Sequence, residues 1–141
     1  MSYEMFTHDW AIACGDQINA NEDYRKAAKS WRWPMVLTMT ADAKLGLPER
    51  SVFLDLFEGS CREARSATPD DVQAVPYVIG ADPRTWKQVL DRDLEPIFGL
   101  MRGKLKLAKG SLVSLLPYVS AAKEMVVSAS YVDTRYPEGV R

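Results

Sequence analysis

The stretch that most constrains the fold runs from residue 86 to residue 126, where two amphipathic helical segments flank one short alternating strand. Pro96 suits the first position of a helix, since the N–H that it lacks would be unpaired there anyway. Gly103 suits the left-handed conformation that ends a helix. Leu105 and Leu107 then alternate with lysines, so one face of the strand is apolar and the other is charged. The region therefore predicts a helix, a half-buried strand and a second helix in close succession.

Further upstream, the sequence carries the alternating and β-branched patterns of strands. The side chains of Val52, Leu54 and Leu56 share one face of such a segment, which we expect to face the helices. Pro76 favours an edge position or a bulge for its strand. Together with residues 104–108, the chain is predicted to form five strands. The four upstream strands are residues 35–41, 51–57, 61–65 and 74–80.

The first thirty residues are predicted to be mostly helical, because apolar side chains recur there at near-helical spacing. Thr7 or Asp9 is available to cap the start of this helix. Asn19 and Asn21 compete for backbone hydrogen bonds, so the helix is expected to bend or break between them. A further helix is predicted to begin at Asp82, just before Pro83.

Ser111 is predicted to cap the last helix, which carries the widest apolar stripe in the chain. Pro117 lies inside it and predicts a kink or a break between Val113 and Leu116. Residues 66–71, with a proline near their centre, are predicted to be a loop, and residues 133–141 a loose tail. The stripe consists of Leu112, Leu115, Leu116, Val119, Ala122, Val126 and Ala129.

The run from Met101 to Gly110, M-R-G-K-L-K-L-A-K-G, resembles the G-K-L-K-[IL]-K-G-[DN] segment of the sterol carrier protein 2 family. The order and spacing of several such segments carry the resemblance, which covers residues 6–130. Two residues depart from the family pattern: Ala108 is one extra residue, and Pro117 interrupts the last helix. The other similar segments, shared with the bacterial and archaeal branch of the family, are residues 18–31, 52–59 and 77–79.

The resemblance implies a fold class and a function. The fold is expected to be α/β of the α+β type, with a five-stranded, mainly antiparallel sheet, helices packed on one side and an apolar tunnel between the layers. This lipid-binding domain would span residues 6–132. Members of the family bind sterols, fatty acids, fatty acyl-CoAs and phospholipids by shape and burial. We therefore expect a non-catalytic protein that binds or transfers a lipid or an acyl chain.

The same resemblance implies where a ligand would bind. The flexible thioether of Met101 suits a wall that accepts ligands of different shapes. A basic run after it could attract an anionic head group or a lipid surface, although such a run is also typical of the solvated face of a strand. For this docking role we expect Arg102, Lys104 and Lys109. The predicted tunnel-lining residues are Trp86, Leu90, Ile97, Met101, Leu112, Leu115, Leu116 and Val119.

Composition excludes several other classes of function. Eighteen basic and 19 acidic side chains leave a formal charge of −1, so nucleic-acid binding is not expected. Cys14 and Cys61 do not have the spacing of a zinc or redox motif, and His8 alone supplies neither a catalytic triad nor a multi-histidine metal site. We expect no cofactor, no metal and no catalytic residue.

The ends and the hydropathy of the chain bear on its location. The N-terminus lacks the pattern of a secretory signal, and no apolar run approaches the roughly 20 residues of a membrane span. A cytoplasmic protein with at most peripheral membrane contact is therefore expected.

Two other functions stay open. The apolar groove could bind a partner protein or a second copy, giving an interaction or homodimerisation module that is accessory to a lipid or acyl-CoA enzyme. An enzyme would need a buried polar group that points into the tunnel. The candidates for such a group are Tyr77, Tyr118 and Asp55.

Overall fold

A five-stranded sheet, the main sheet, forms the centre of the computed structural model, which describes residues 1–141. Two further short strands, β1 and β7, pair with each other in a separate sheet. The seven strands are β1 (Tyr3–Glu4), β2 (Met35–Met39), β3 (Arg50–Phe57), β4 (Ser60–Ser66), β5 (Tyr77–Ala81), β6 (Lys106–Lys109) and β7 (Thr134–Arg135). The order in the main sheet is β4-β3-β2-β5-β6, and every neighbouring pair is antiparallel except β2 and β5. The expected mainly antiparallel sheet of five strands is thus confirmed.

Seven helices accompany the sheet, and polar side chains fix where several of them begin. The Thr7 hydroxyl accepts a hydrogen bond from the N–H of Trp10 at the start of the first helix. Asn21 Oδ1 accepts from the N–H groups of Asp23 and Tyr24, so a new helix begins at the predicted break. The helices are α1 (His8–Asn19), α2 (Glu22–Ala27), α3 (Pro69–Ala74), α4 (Pro83–Leu90), α5 (Pro96–Met101), α6 (Leu112–Leu115) and α7 (Val119–Ser130).

The two faces of the sheet are covered unequally. Alternation along β3 sends Leu54 into a core of 30 buried residues that the sheet shares with α1, α2 and α4 to α7. Phe53 points to the opposite face, where a cluster of 4 buried residues packs against the half-buried Val72 of α3. The large core therefore lies between the sheet and the helices on one side, as expected.

The other face differs from the sequence prediction. Thr68 and Asp71 form a capping box, in which each side chain accepts a hydrogen bond from the backbone N–H of the other. Pro69 occupies the first turn of α3, so the predicted loop at residues 66–71 is wrong from this residue onward. Of the two alternatives predicted from Pro76, the edge position is wrong, because β5 lies between β2 and β6 and Pro76 precedes it. The other alternative, a bulge, has a counterpart in the shifted register between β5 and β6.

The prediction of a loose tail after residue 132 is wrong as well. Strand β7 pairs in parallel with β1, and the side chain of Val140 is buried. The indole N–H of Trp10 donates a hydrogen bond to the hydroxyl of Thr134 at 2.9 Å. These contacts tie the C-terminal residues to the start of α1.

The two departures from the family pattern have structural counterparts. Val78 pairs with Lys109 and Ile79 with Leu107, so Ala108 is the extra residue of a β-bulge. A 3-10 turn that contains Pro117 separates α6 from α7, so the predicted break in the last helix is present.

The helical stretch Leu112–Ser130 has 19 residues and a mean hydropathy of 1.3, with 22% of it buried. By length and composition alone it could cross a membrane, so the expectation that no segment approaches that length is wrong. A helix that covers the core of a protein can have the same length and composition.

Candidate ligand-binding cavity

An apolar cavity lies between the main sheet and the helices that cover its large core. Together with the solvent at its open mouth, the space measures about 900 Å³. The centre of a water molecule can occupy only about 80 Å³ of it, below the roughly 300–1,000 Å³ of small-molecule pockets, so the cavity is narrow and must widen to hold a lipid. It is lined by Phe6, Trp10, Cys14, Tyr24, Trp31, Met35, Leu37, Leu54, Leu56, Ile79, Trp86, Val89, Leu90, Pro96, Ile97, Leu100, Leu105, Leu115, Tyr118, Ala121, Ala122, Met125, Val126 and Ala129.

The polar atoms of the lining tryptophans are bonded to protein partners. The indole N–H of Trp86 donates to the carbonyl of Thr38 at 2.8 Å, and that of Trp31 donates to the carbonyl of Trp33 at 2.7 Å. The indole of Trp10 donates to a hydroxyl of β7, as described above. A ligand inside would therefore meet carbon surface at these rings. A polar head group buried there would lose hydrogen bonds to water without replacement.

The one thiol in the lining is held neutral. Burial, with a smaller contribution from Cys61, raises the pKa of Cys14 to about 12. Burial likewise raises the pKa of Cys61 to about 11 and shifts the pKa of the lining residue Tyr24 upward. Because a thiol must lose its proton to become a strong nucleophile, Cys14 is unreactive at neutral pH.

The open side of the cavity lies at residues 96–126, which we term the C-terminal wall. Every lining residue outside this range is buried, and so are several within it. Since partial exposure marks where a cavity approaches solvent, the mouth lies between α5 and α7. The half-buried lining residues are Pro96, Leu100, Tyr118, Ala122, Met125 and Val126.

The predicted lining residues divide into three groups. Trp86, Leu90, Ile97 and Leu115 lie on the cavity wall. Leu112 packs against the core without lining the cavity. The other three, Met101, Leu116 and Val119, are exposed on the outer side of their helices. Met101 ends α5 and Leu116 follows α6, helices of six and four residues that are too short for a stripe to fix which side faces inward. Val119 is the first residue of the 12-residue α7.

Sequence reasoning assigned no ligand role to the N-terminal part of the wall. Trp10, Cys14, Tyr24 and Trp31 line the cavity and are buried. Their near-helical spacing was a usable signal, since an apolar stripe that covers a sheet lines any space left between the two layers. Nothing in that spacing separates a lining residue from an ordinary core residue.

Of the three basic residues predicted to dock a head group, two are exposed near α5 and the third is bonded to α3. The guanidinium of Arg102 lies over the ring of Phe98, 4.9 Å from its centroid, and Lys104 is exposed after α5. Lys109 Nζ instead donates to the carbonyls of Val72 and Gln73 at 3.1 and 2.6 Å, near the end of α3. Lys109 thus interacts with the last carbonyls of a helix, a favourable position for a cation.

The groups considered for chemistry have structural partners. The hydroxyl of Tyr77 lies 2.7 Å from that of Ser114. The hydroxyl of Tyr118, a mouth residue, lies 3.0 Å from that of Ser30. Asp55 pairs with an arginine of β4 and does not line the cavity. Each of these three polar groups is thus engaged with another side chain.

Solved structures of sterol carrier proteins are similar to this chain. One described as sterol carrier protein 2 gives a TM-score of 0.83 at 43% identity, over 92% of this chain and 99% of its own. The conserved hypothetical protein TT1886 of Thermus thermophilus, a candidate sterol carrier protein, gives a TM-score of 0.83 at 41% identity, over 96% and 94%. Apo sterol carrier protein 2 of Yarrowia lipolytica shares the fold at a TM-score of 0.56 and 15% identity, over 89% and 98%. No protein-family model and no curated protein matches the chain.

Proposed function

Since the chain belongs to the sterol carrier protein 2 family, we propose that it is a non-catalytic lipid carrier that buries an apolar ligand between its sheet and its helices. The observation that carries this proposal is the lining of the cavity. Of 24 lining residues, 23 are hydrophobic, and none is charged. The indole N–H groups among them are bonded to the protein.

The chemistry of the cavity favours a ligand with a long apolar part and a polar end that stays outside. Each CH₂ moved from water into such a lining contributes about 0.8 kcal/mol, so an acyl chain gains affinity along its whole length. A carboxylate or phosphate carried inside would meet neither a cation nor a free donor at the tryptophans. Fatty acids, fatty acyl-CoAs, phospholipids and sterol-like molecules all have this form. Their head group would remain at the mouth between α5 and α7.

Uptake and release would pass through the C-terminal wall, because its lining residues are the half-buried ones. Helices α5 and α6 have six and four residues, and Pro117 separates α6 from α7. Short helices joined by turns open locally at lower cost than long ones. The cytoplasmic location stays a prediction from the sequence.

Native mass spectrometry tests the proposal. The protein as purified, and again after delipidation and incubation with fatty acids, acyl-CoAs and phospholipids, should carry one discrete hydrophobic adduct. A variant that fills the cavity, Ala121→Phe, should lose the adduct, because Ala121 is buried in the lining. The matched control Ala74→Phe, at an exposed position on α3, should keep it. A clean apo mass under every condition would contradict the carrier function, and a dimer peak alone would favour the interaction module.

A further inference from the structure

Positive charge is concentrated in the C-terminal wall. Residues 96–126 hold five basic side chains and one acidic one, Glu124, whereas the rest of the chain holds 13 basic and 18 acidic ones. Glu124 accepts a hydrogen bond from Asn21 Nδ2 at 3.3 Å, and Glu95, just before the wall, accepts from the N–H groups that open α5. Lys109 is bound at the end of α3. The exposed cations of this segment are Arg102, Lys104, Lys106 and Lys123.

The same segment exposes apolar side chains. Five of the nine large hydrophobic residues that are exposed in the chain lie within residues 96–123. They sit on α5, on the contacting helix α6 and on the turn and helix that follow. Solvent exposure of a contiguous apolar set costs free energy, so such a set marks a surface that another phase or molecule covers. The five are Phe98 (50% exposed), Met101 (60%), Val113 (75%), Leu116 (44%) and Val119 (39%).

Cations and apolar residues adjoin one another on this surface. Arg102 covers the ring of Phe98 at 4.9 Å, so its charge lies beside an exposed aromatic group. Lys104 follows α5 by three residues, and Lys123 lies one helical turn after Val119 on α7. Apolar side chains rimmed by lysine and arginine are typical of helices that lie in the interface of an anionic bilayer. We call these five apolar residues, with Arg102, Lys104 and Lys123, the basic apolar face.

We propose that the basic apolar face docks on the surface of an anionic lipid bilayer, so that the mouth of the cavity opens toward the lipid. The apolar side chains would enter the boundary between head groups and acyl chains, while the cations remain among the phosphates. A second copy of the same face would place like charges opposite one another, which disfavours self-association there. The proposal rests on the proposed lipid-carrier function, because a carrier must exchange its ligand with a membrane.

Binding to vesicles tests this proposal. The wild-type protein should sediment with vesicles that contain phosphatidylserine, and much less with vesicles of phosphatidylcholine alone. Arg102→Gln with Lys104→Gln should weaken binding by roughly fivefold per residue, because each cation near an anionic surface contributes that much. Both side chains are exposed, so this variant should fold normally. Phe98→Ser with Val113→Ser should weaken binding to the same vesicles at high salt, where the electrostatic contribution is screened.

Matched controls come from parts of the surface away from this face. Lys44→Gln with Arg84→Gln removes two exposed cations beyond the C-terminal ends of β2 and β5, and Ile12→Ser removes an exposed apolar residue on α1. Both should leave vesicle binding unchanged. Equal loss in the controls and the face variants would overturn the proposal, as would a wild-type protein that ignores phosphatidylserine.

The two proposals fail in distinguishable ways. Ligand uptake from solution, measured on the wild-type protein, tests the carrier function without any membrane. If uptake occurs but vesicle binding does not, the docking proposal is wrong and the carrier function stands. A dimer that is lost in the Phe98→Ser, Val113→Ser variant would overturn docking and assign the face to self-association.

Discussion

The N-terminal wall of the cavity, α1 and α2, and the C-terminal wall, residues 96–126, cover the same face of one sheet but are held in place differently. On the N-terminal side Trp10, Cys14 and Ile18 are almost completely buried. Asn19 bonds twice to the backbone of Cys61, donating from Nδ2 to its carbonyl at 2.9 Å and accepting from its N–H at 2.8 Å. One long helix is thus fixed to the sheet by packing and by side-chain hydrogen bonds.

The C-terminal wall is tied to the rest of the protein by side-chain hydrogen bonds at Ser114, Tyr118 and Glu124, but it is packed less completely. Several of its apolar side chains are exposed, and Ser111, at the start of α6, makes no capping hydrogen bond with its side chain. Regions with few buried contacts open at lower free energy than the rest of a structure. The comparison teaches that two walls of one cavity can differ in how completely they are packed, and the less completely packed wall is the one where we propose that the ligand enters and leaves.

The largest expected difference between the walls is in packing. Trp10→Ala should lower the free energy of unfolding by about 3–5 kcal/mol, because it leaves a void under α1. Met101→Ala, in an exposed position on the C-terminal wall, should change it by less than about 0.5 kcal/mol. Urea unfolding followed by circular dichroism gives both values. Similar values for the two variants would remove the distinction between the walls.

Hydrogen bonding should give a second, smaller difference in unfolding free energy between the two walls. Asn19→Ala leaves the backbone N–H and carbonyl of Cys61 without this partner, which should cost about 1–3 kcal/mol. Ser111→Ala removes a hydroxyl that caps nothing and should cost less than about 0.5 kcal/mol. The same unfolding measurement applies. A cost for Ser111→Ala equal to that for Asn19→Ala would show that α6 is capped in solution.

The buried thiols predict how stability depends on pH on the N-terminal side. Burial raises the pKa of Cys14 to about 12 and that of Cys61 to about 11, against roughly 8.5 in an unfolded chain. Above about pH 8.5 the unfolded thiols lose protons first, so stability falls as pH rises, by at most about 1.4 kcal/mol per pH unit for each thiol.

Replacing both thiols tests this dependence. Cys14→Ala with Cys61→Ala should flatten the loss of stability between about pH 8.5 and pH 10.5. Some dependence should remain, because burial also raises the pKa of Tyr24. Urea unfolding across this pH range measures the slope. An unchanged slope in the double variant would show that the thiols do not titrate as their burial indicates.

The smallest effect on stability, but a specific effect on exchange, is expected at Pro117. Pro117→Ala allows α6 and α7 to join into one helix, because it restores a backbone N–H and removes the clash of the ring. We expect slower ligand exchange with little change in affinity. Stopped-flow transfer of a fluorescent fatty acid between vesicles measures the rate. Equal exchange rates in both proteins would count against opening at the C-terminal wall.

Much of this contrast could be predicted from the sequence, but not its consequence for the cavity. The break at Asn19–Asn21 and the break at Pro117 follow from local chemistry, since capping and a missing N–H act within a few residues. The outward position of Met101 and Leu116 depends on how very short helices turn against the sheet. Helix α3 is not predicted, because a proline among polar residues is typical of a loop, whereas here Pro69 follows the Thr68 cap and opens the helix.

Paramagnetic NMR with a fatty acid that carries a nitroxide near the end of its chain would test the central claim most directly. If the acyl chain is buried between sheet and helices, the amide signals of cavity residues such as Ile79, Trp86 and Ala121 should be strongly broadened. Asp70 and Ala74, which are exposed on α3 over the opposite face of the sheet, should be broadened much less. Broadening confined to exposed residues such as Phe98 and Val113, with the cavity signals unchanged, would contradict the account.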